Sequence, residues 1–177
     1  WTLFKLAQDT LSTECVYEYE SWHDIPYAIV GDAHSVYTGH QTFPATIVAV
    51  DKTSCHFSKA LVLNEGEDDV RSLEFDAKHD AAHLYANTNT QPSRVVKILI
   101  KGTEGKDLRR VGAVTLGAGR DHVLAGSEQD GDFIYVGTYT KPAHIVKIDK
   151  RTMQQVAELT LEAGEDDVVA MDADFLS

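Results

Sequence analysis

An internal repeat constrains this chain more than any other feature, because a fixed period decides architecture before any local reading. Thr46-Ile47-Val48-Ala49-Val50-Asp51 returns as Arg94-Val95-Val96-Lys97-Ile98-Leu99 and again as His144-Ile145-Val146-Lys147-Ile148-Asp149. A weaker copy, Thr2-Leu3-Phe4-Lys5-Leu6, opens the chain. The starts at 46, 94 and 144 set a period of 48 to 50 residues. The units read as 1–42, 43–90, 91–140 and 141–177 of a single domain. Just ahead of each full copy stands a proline, at Pro44, Pro92 and Pro142, where the chain must turn.

Each unit holds four short runs of about 5–7 residues, rich in Val, Ile, Leu and Tyr and bounded by turn residues, which is strand composition. No segment sustains a helical period for ten residues. Four strands in about 40–50 residues is the unit of a β-propeller, an all-β ring of four-stranded antiparallel blades around a channel. A parallel β-helix has shorter rungs and no hairpins within its unit. Innermost strands are expected to begin near Ile25, Val70, Val123 and Val168. The stretches 25–65, 70–118 and 123–163 are then complete blades. Residues 1–20 supply two outer strands of a preceding blade, and 168–176 the innermost strand of a following one. Such a chain either closes a small ring with its ends or forms an arc of a larger propeller. The arc is expected, because a blade made from the two ends would lack its second strand and leave backbone amides unpaired.

The string Tyr135-Val136-Gly137-Thr138-Tyr139-Thr140, then Pro142, then Ile145-Val146-Lys147-Ile148-Asp149 and Val156-Ala157-Glu158-Leu159-Thr160-Leu161, resembles the YVTN-type propeller repeat. Its Tyr-Val-Gly-Thr-Tyr-Thr portion is also similar to a string in lactonase-type seven-bladed propellers. The first resemblance implies a non-enzymatic extracellular or cell-surface module for adhesion, structural assembly or protein interaction. Its partners would be other proteins, or copies of itself meeting through blade edges and loops. The second implies, as the alternative, a lactonase-like hydrolase with a metal or acidic site at the channel mouth. An intracellular WD40 scaffold is disfavoured by the lack of a Gly-His…Trp-Asp signature.

Charge narrows the partners. With 28 acidic against 16 basic residues the net charge is −12, so phosphate backbones are repelled and nucleic acid is not expected. Apolar runs are far shorter than the ~20 residues that span a bilayer, so membrane insertion is not expected either. The chain opens on Trp1 without a signal-peptide pattern, which reads as a leader removed or as an excerpt of something longer. Cys15 and Cys55 allow one bridge in an oxidising compartment or two thiols packed as small hydrophobes, and their spacing leaves both open.

The most suggestive chemistry is acidic and periodic. Gly66-Glu67-Asp68-Asp69-Val70 recurs as Gly119-Arg120-Asp121-His122-Val123 and Gly164-Glu165-Asp166-Asp167-Val168, with Trp22-His23-Asp24-Ile25 in the same place of the first unit. A propeller would gather Asp24, Asp68, Asp69, Asp121, Asp166 and Asp167 at one mouth of its channel. Calcium takes six to eight oxygen ligands, so a calcium rim is one expectation. The plainer one is that these carboxylates cap tight turns by accepting backbone N–H bonds. A mixed metal site of His23, Asp121 and His122 is weaker, and His79 with His83 need not converge in a hairpin. No Gly-x-Ser-x-Gly elbow or phosphate-cradling glycine loop is present, so no catalytic residue is assigned. The insertion 101–106 should lengthen an outer hairpin loop. Trp1, Trp22, Tyr17 and Tyr19 are expected to pack between blades.

Overall fold

The computed structural model describes residues 1–20, 24–76, 82–102, 107–127 and 131–172. These carry fourteen strands and no helix. β1 (Thr2–Leu6) and β2 (Thr13–Glu18) form a two-stranded sheet. Blade 1 comprises β3 (Pro26–Gly31), β4 (Ser35–His40), β5 (Thr46–Asp51) and β6 (Phe57–Val62). Blade 2 comprises β7 (Val70–Asp76), β8 (His83–Thr88), β9 (Arg94–Lys101) and β10 (Asp107–Thr115). Blade 3 comprises β11 (Val123–Ser127), β12 (Phe133–Thr138), β13 (His144–Asp149) and β14 (Gln154–Thr160). Within each blade the strands are antiparallel and lie in chain order. Three complete blades and the outer half of a preceding one are thus the architecture expected from the repeat.

Burial follows strand position. The second and third strands lie between neighbouring blades, so β4, β5, β8 and β9 are largely buried on both faces, and the third strands β5 and β9 carry the longest apolar runs. The outermost strands β6 and β14 are largely exposed. One core cluster joins Tyr37, Ile47 and Ala49 of blade 1 to Leu73, Leu84 and Val96 of blade 2. A second joins Tyr85 and Val95 to Ile134, Val136 and Ile148 of blade 3. A third seats Tyr17 and Tyr19 on Val48 and Val50.

The glycine of the Tyr-Val-Gly-Thr strand has a packing reason. A Cβ on Gly39 would lie 2.4 Å from Val70 Cγ1, and one on Gly137 would lie 2.3 Å from Val168 Cγ1. Val70 and Val168 therefore rest on a bare backbone of the blade before them, whereas β8 carries Asn87 at the equivalent place. Val168 keeps this place and donates its N–H to Thr138 O at 3.0 Å. Even so, 168–172 form no strand, unlike the expectation for 168–176, of which 173–177 lie outside the described residues. A strand needs a pairing neighbour, and among the described residues no second strand stands beside this segment.

The insertion also differs from its expectation. β9 has eight residues and β10 nine, against six each for β5 and β6, and their pairing continues to Lys101 opposite Asp107. The extra residues therefore lengthen the strands of an outer hairpin, because β-pairing satisfies their backbone groups; 103–106 lie outside the described residues.

Two links fasten the half-blade to blade 1. Cys15 and Cys55 form a disulfide with Cα atoms 6.0 Å apart, which settles the alternative left open above. Tyr19 O–H donates to Thr38 Oγ1 at 3.0 Å, the Thr38 hydroxyl donates to His40 Nε2 at 2.9 Å, and His40 Nδ1–H donates to Asp24 O at 2.8 Å. Burial holds the His40 pKa below the ordinary imidazole value, against an opposing pull from Asp24. Unfolded chains take up this proton near pH 6.5, whereas the folded protein does so only at lower pH. Stability should therefore fall as pH drops below about 6.5, until the folded-state value is passed. Thermal melts from pH 7.5 to 5 should show this slope, and His40→Gln should flatten it; an unchanged slope in the variant would contradict the assignment.

Candidate interaction rim at the channel mouth

The periodic acidic motif is first a backbone device. Gly66, Gly119 and Gly164 have φ of 76°, 79° and 93°, and Asp69, His122 and Asp167, three residues on, have φ of 52°, 54° and 59°. Glycine suits the first left-handed position, while Asp and His tolerate the second better than most residues. Between them Glu67, Arg120 and Glu165 close tight turns onto Asn64, Gly117 and Glu162 through N–H···O bonds of 2.9–3.0 Å. Their carbonyls then accept N–H bonds of 2.9–3.0 Å from Ala45, Ser93 and Ala143, which tie each turn to the blade before it.

Side chains reinforce these ties. Glu67, only 1% exposed, accepts the Asn64 N–H at 3.0 Å and a fork from Arg110 Nε and Nη2 at 2.6–3.0 Å. At the next boundary the charges are exchanged: Arg120 stands where Glu67 stood and grips Glu158 on β14. Glu158 is held below the ordinary carboxylate range by that guanidinium.

Across the mouth runs a relay of polar groups. A β-bulge in each innermost strand puts Tyr27 and Arg71 at equivalent positions, and Arg71 lies 3.7 Å over the Tyr27 ring. Arg71 Nη2 donates to Asp69 Oδ2 at 2.8 Å, and Asn89 Nδ2 donates to the same oxygen at 2.7 Å. His122 Nδ1–H donates to Asn89 Oδ1 at 2.6 Å, and Gln91 Nε2 donates to His122 Nε2 at 2.7 Å. With Asn89 oriented by Asp69, its carbonyl must face the ring, so His122 carries its proton on Nδ1. Beside this relay opens a cleft of about 470 Å³, lined by Phe43, Asp68, Asn89, Gln91, Arg94 and His122 among others. Burial pushes the Asp68 carboxyl above its ordinary range, although Arg94 pulls it down. Phe43, at the tip of a turn with a cis bond to Pro44, is 72% exposed.

The candidate metal residues are distributed along this rim. Asp69 serves Arg71 and Asn89; Asp166 and Asp167 lie 3.9 and 3.8 Å from Lys141 Nζ; Asp24 Oδ1 accepts the Ile25 N–H at 2.8 Å. Asp121 neighbours the relay through His122 in sequence, and Asp68 faces the cleft. Among the described residues no three His, Cys, Asp or Glu gather as a metal-holding group. His23, Trp22 and His79 lie outside the described residues, and His83 lines a separate cleft.

No family model matches this chain, and no curated protein matches it. Solved structures do. The RRP9 WD40 repeats align with a TM-score of 0.66 and 13% identity over 88% of this chain and 43% of theirs. The Cps50 (Swd1) β-propeller domain of Myceliophteria thermophila gives 0.64 and 11%, over 84% of this chain and 44% of its own. The computationally designed Ika4 protein gives 0.61 and 14%, over 90% and 84%. This chain is an arc of a β-propeller. It spans less than half the length of the RRP9 and Cps50 chains. The RRP9 likeness is to WD40 repeats and the Cps50 likeness to a β-propeller domain, so they support the blades and leave the YVTN or lactonase type resting on the strand motifs alone.

Sequence reading missed Arg71, Asn89, Gln91, Arg94 and Phe43 at the mouth of the propeller. A signal existed in the turn ahead of each proline, where Asn89 and Gln91 replace the Tyr139 and Lys141 of the next unit. Chemically the rim offers hydrogen-bond donors and acceptors, the guanidiniums of Arg71 and Arg94 and the exposed ring of Phe43, with its own polar groups already oriented by one another.

Proposed function

We propose that this arc belongs to a non-enzymatic protein-interaction module at the cell surface or outside the cell, which meets its partner with the channel-mouth rim. The observation that carries the reading is Phe43, a 72% exposed ring on a turn beside the 470 Å³ cleft that holds Arg94, Gln91 and His122. Aromatic and arginine anchors surrounded by satisfied polar groups are the usual energetic centre of a protein interface. Asp69, Asn89 and His122 are bonded to one another, which suits presentation of a fixed surface. The Cys15–Cys55 bridge supports an oxidising compartment, as does the resemblance to surface-type repeats.

Affinity capture from the source organism's surface extract tests this. Proteins enriched by the wild type should be lost by about tenfold or more with Phe43→Ala, as expected for a hot spot. They should be retained with Leu159→Ala, which removes an exposed side chain on the outer strand β14. Equal retention by both variants would overturn the assignment of the rim.

A further inference from the structure

The N-terminal end of the arc carries a second surface, which meets the rim at Tyr27. Among the described residues β1 pairs with β2 alone, so its other edge presents free backbone groups. Innermost strand β3 is open on one face. Ala28 on β3 is buried in the core shared with blade 2, whereas Tyr27 and Ile29 are 45% and 61% exposed. Register makes the vacancy specific. Ile29 pairs with Thr38 just as Leu73 of the next blade pairs with Ala86, one residue beyond the same bulge. Leu73 is 6% exposed because blade 1 covers it. Between β1 and β3 lie two clefts, of about 160 Å³ and about 330 Å³, whose walls share Leu3 and Ile29.

We infer that this end docks an antiparallel pair of β-strands of the same repeat type, supplied by protein outside these 177 residues. The second strand of that pair would hydrogen-bond to the open edge of β1 by β-augmentation. The first strand would cover Tyr27 and Ile29 as blade 1 covers Leu73. Three observations select this occupant. β1 and β2 already sit on Val48 and Val50 as the outer strands of a blade, so the inner pair alone is wanting. The larger cleft is walled by Leu3, Phe4, Ile29, Val36 and Val50, with Lys5, Asp51 and Lys52 at its margin, which suits an alternating apolar strand. At the next boundary the equivalent residue, Leu73, is 6% exposed under the strands of blade 1, so a strand pair of this repeat is the cover that the register fits.

The probe is a synthetic peptide of residues 68–92, the strand pair and turn that stand ahead of β9 as the inferred pair would stand ahead of β1. Added to the 177-residue protein, it should bind saturably and slow amide exchange in β1 by about tenfold or more. Ile29→Lys should abolish this protection while leaving the melting temperature of the free protein unchanged, since Ile29 is exposed there. The same 25 residues joined ahead of Trp1 should protect β1 without added peptide and raise the melting temperature. A folded protein whose β1 gains no protection in either format overturns the inference. So does concentration-dependent dimerisation that protects β1 without peptide, which would seat a second copy on this face.

Discussion

Replacing Lys150 with Met is expected to cost about 3–5 kcal/mol of folding stability, because it removes the counter-charge bonded to a buried carboxylate. Lys150 Nζ lies 3.1 Å from Asp76 Oδ2, and the two side chains are 3% and 0% exposed. The pair spans blades 2 and 3, and Lys97 Nζ adds a second cross-blade tie by donating to Lys150 O at 2.8 Å. Two charges in so dry a place do little net stabilising against a well-packed apolar pair, but losing one removes the other's bonded counter-charge and leaves Asp76 to the weaker pull of Lys97. Lys150→Met with Asp76→Leu should therefore recover most of the loss. Urea denaturation of the three proteins checks this through their midpoints at constant slope. A loss below about 1 kcal/mol in the single variant would mean that Asp76 is not held as a buried carboxylate by Lys150.

Reduction of the Cys15–Cys55 bridge should have an effect of similar size. The bridge closes a sequence separation of 40 residues. On the chain-entropy account a loop of that length contributes about 4 kcal/mol at 25 °C. The location matters as much as the magnitude. A two-stranded sheet is marginal by itself, and β1–β2 otherwise holds to blade 1 through Leu3, Tyr17, Tyr19 and the hydrogen bond to Thr38. Reduction should thus release the half-blade before the complete blades unfold. Limited proteolysis then finds new cleavage in the β1–β2 turn, where Leu11 is 72% exposed, while blades 1 to 3 stay protected. Cys15→Ser should reproduce the effect under oxidising conditions. Identical cleavage patterns with and without reductant would contradict it.

The blades were legible because a propeller writes its period into the chain. Runs such as Ile47-Val48-Ala49-Val50 are apolar throughout, since middle strands face a neighbouring blade on both sides. Glycine at positions 39 and 137 was visible as a repeat, and its cause, the close approach of Val70 and Val168, follows only from the packing of one blade on the next. The rim was half legible. Its motif Gly-x-Asp-Asp stood out, yet the recurrence reflects two left-handed backbone positions, and the acidic side chains serve turns, Arg71 and Lys141. Partners such as Asn89 for His122, 33 residues away, depend on how blades register against one another, which no local pattern encodes. The same holds for the exchange of Glu67–Arg110 for Arg120–Glu158, where each pair is separated by about a full blade. The disulfide was open at the sequence level because it joins the half-blade to a different sheet.

An arc of three four-stranded blades with an open first edge fixes which backbone amides are paired, and this pairing can be measured. Residue-resolved hydrogen exchange on the oxidised 177-residue protein addresses it most directly. The slowest exchange is expected in β4, β5, β8, β9, β12 and β13, the middle strands of the three sheets. Fast exchange is expected for those β1 amides that point away from β2. Strong protection along both sides of β1, with β8 or β12 exchanging as edge strands do, would contradict both the blade order and the open end.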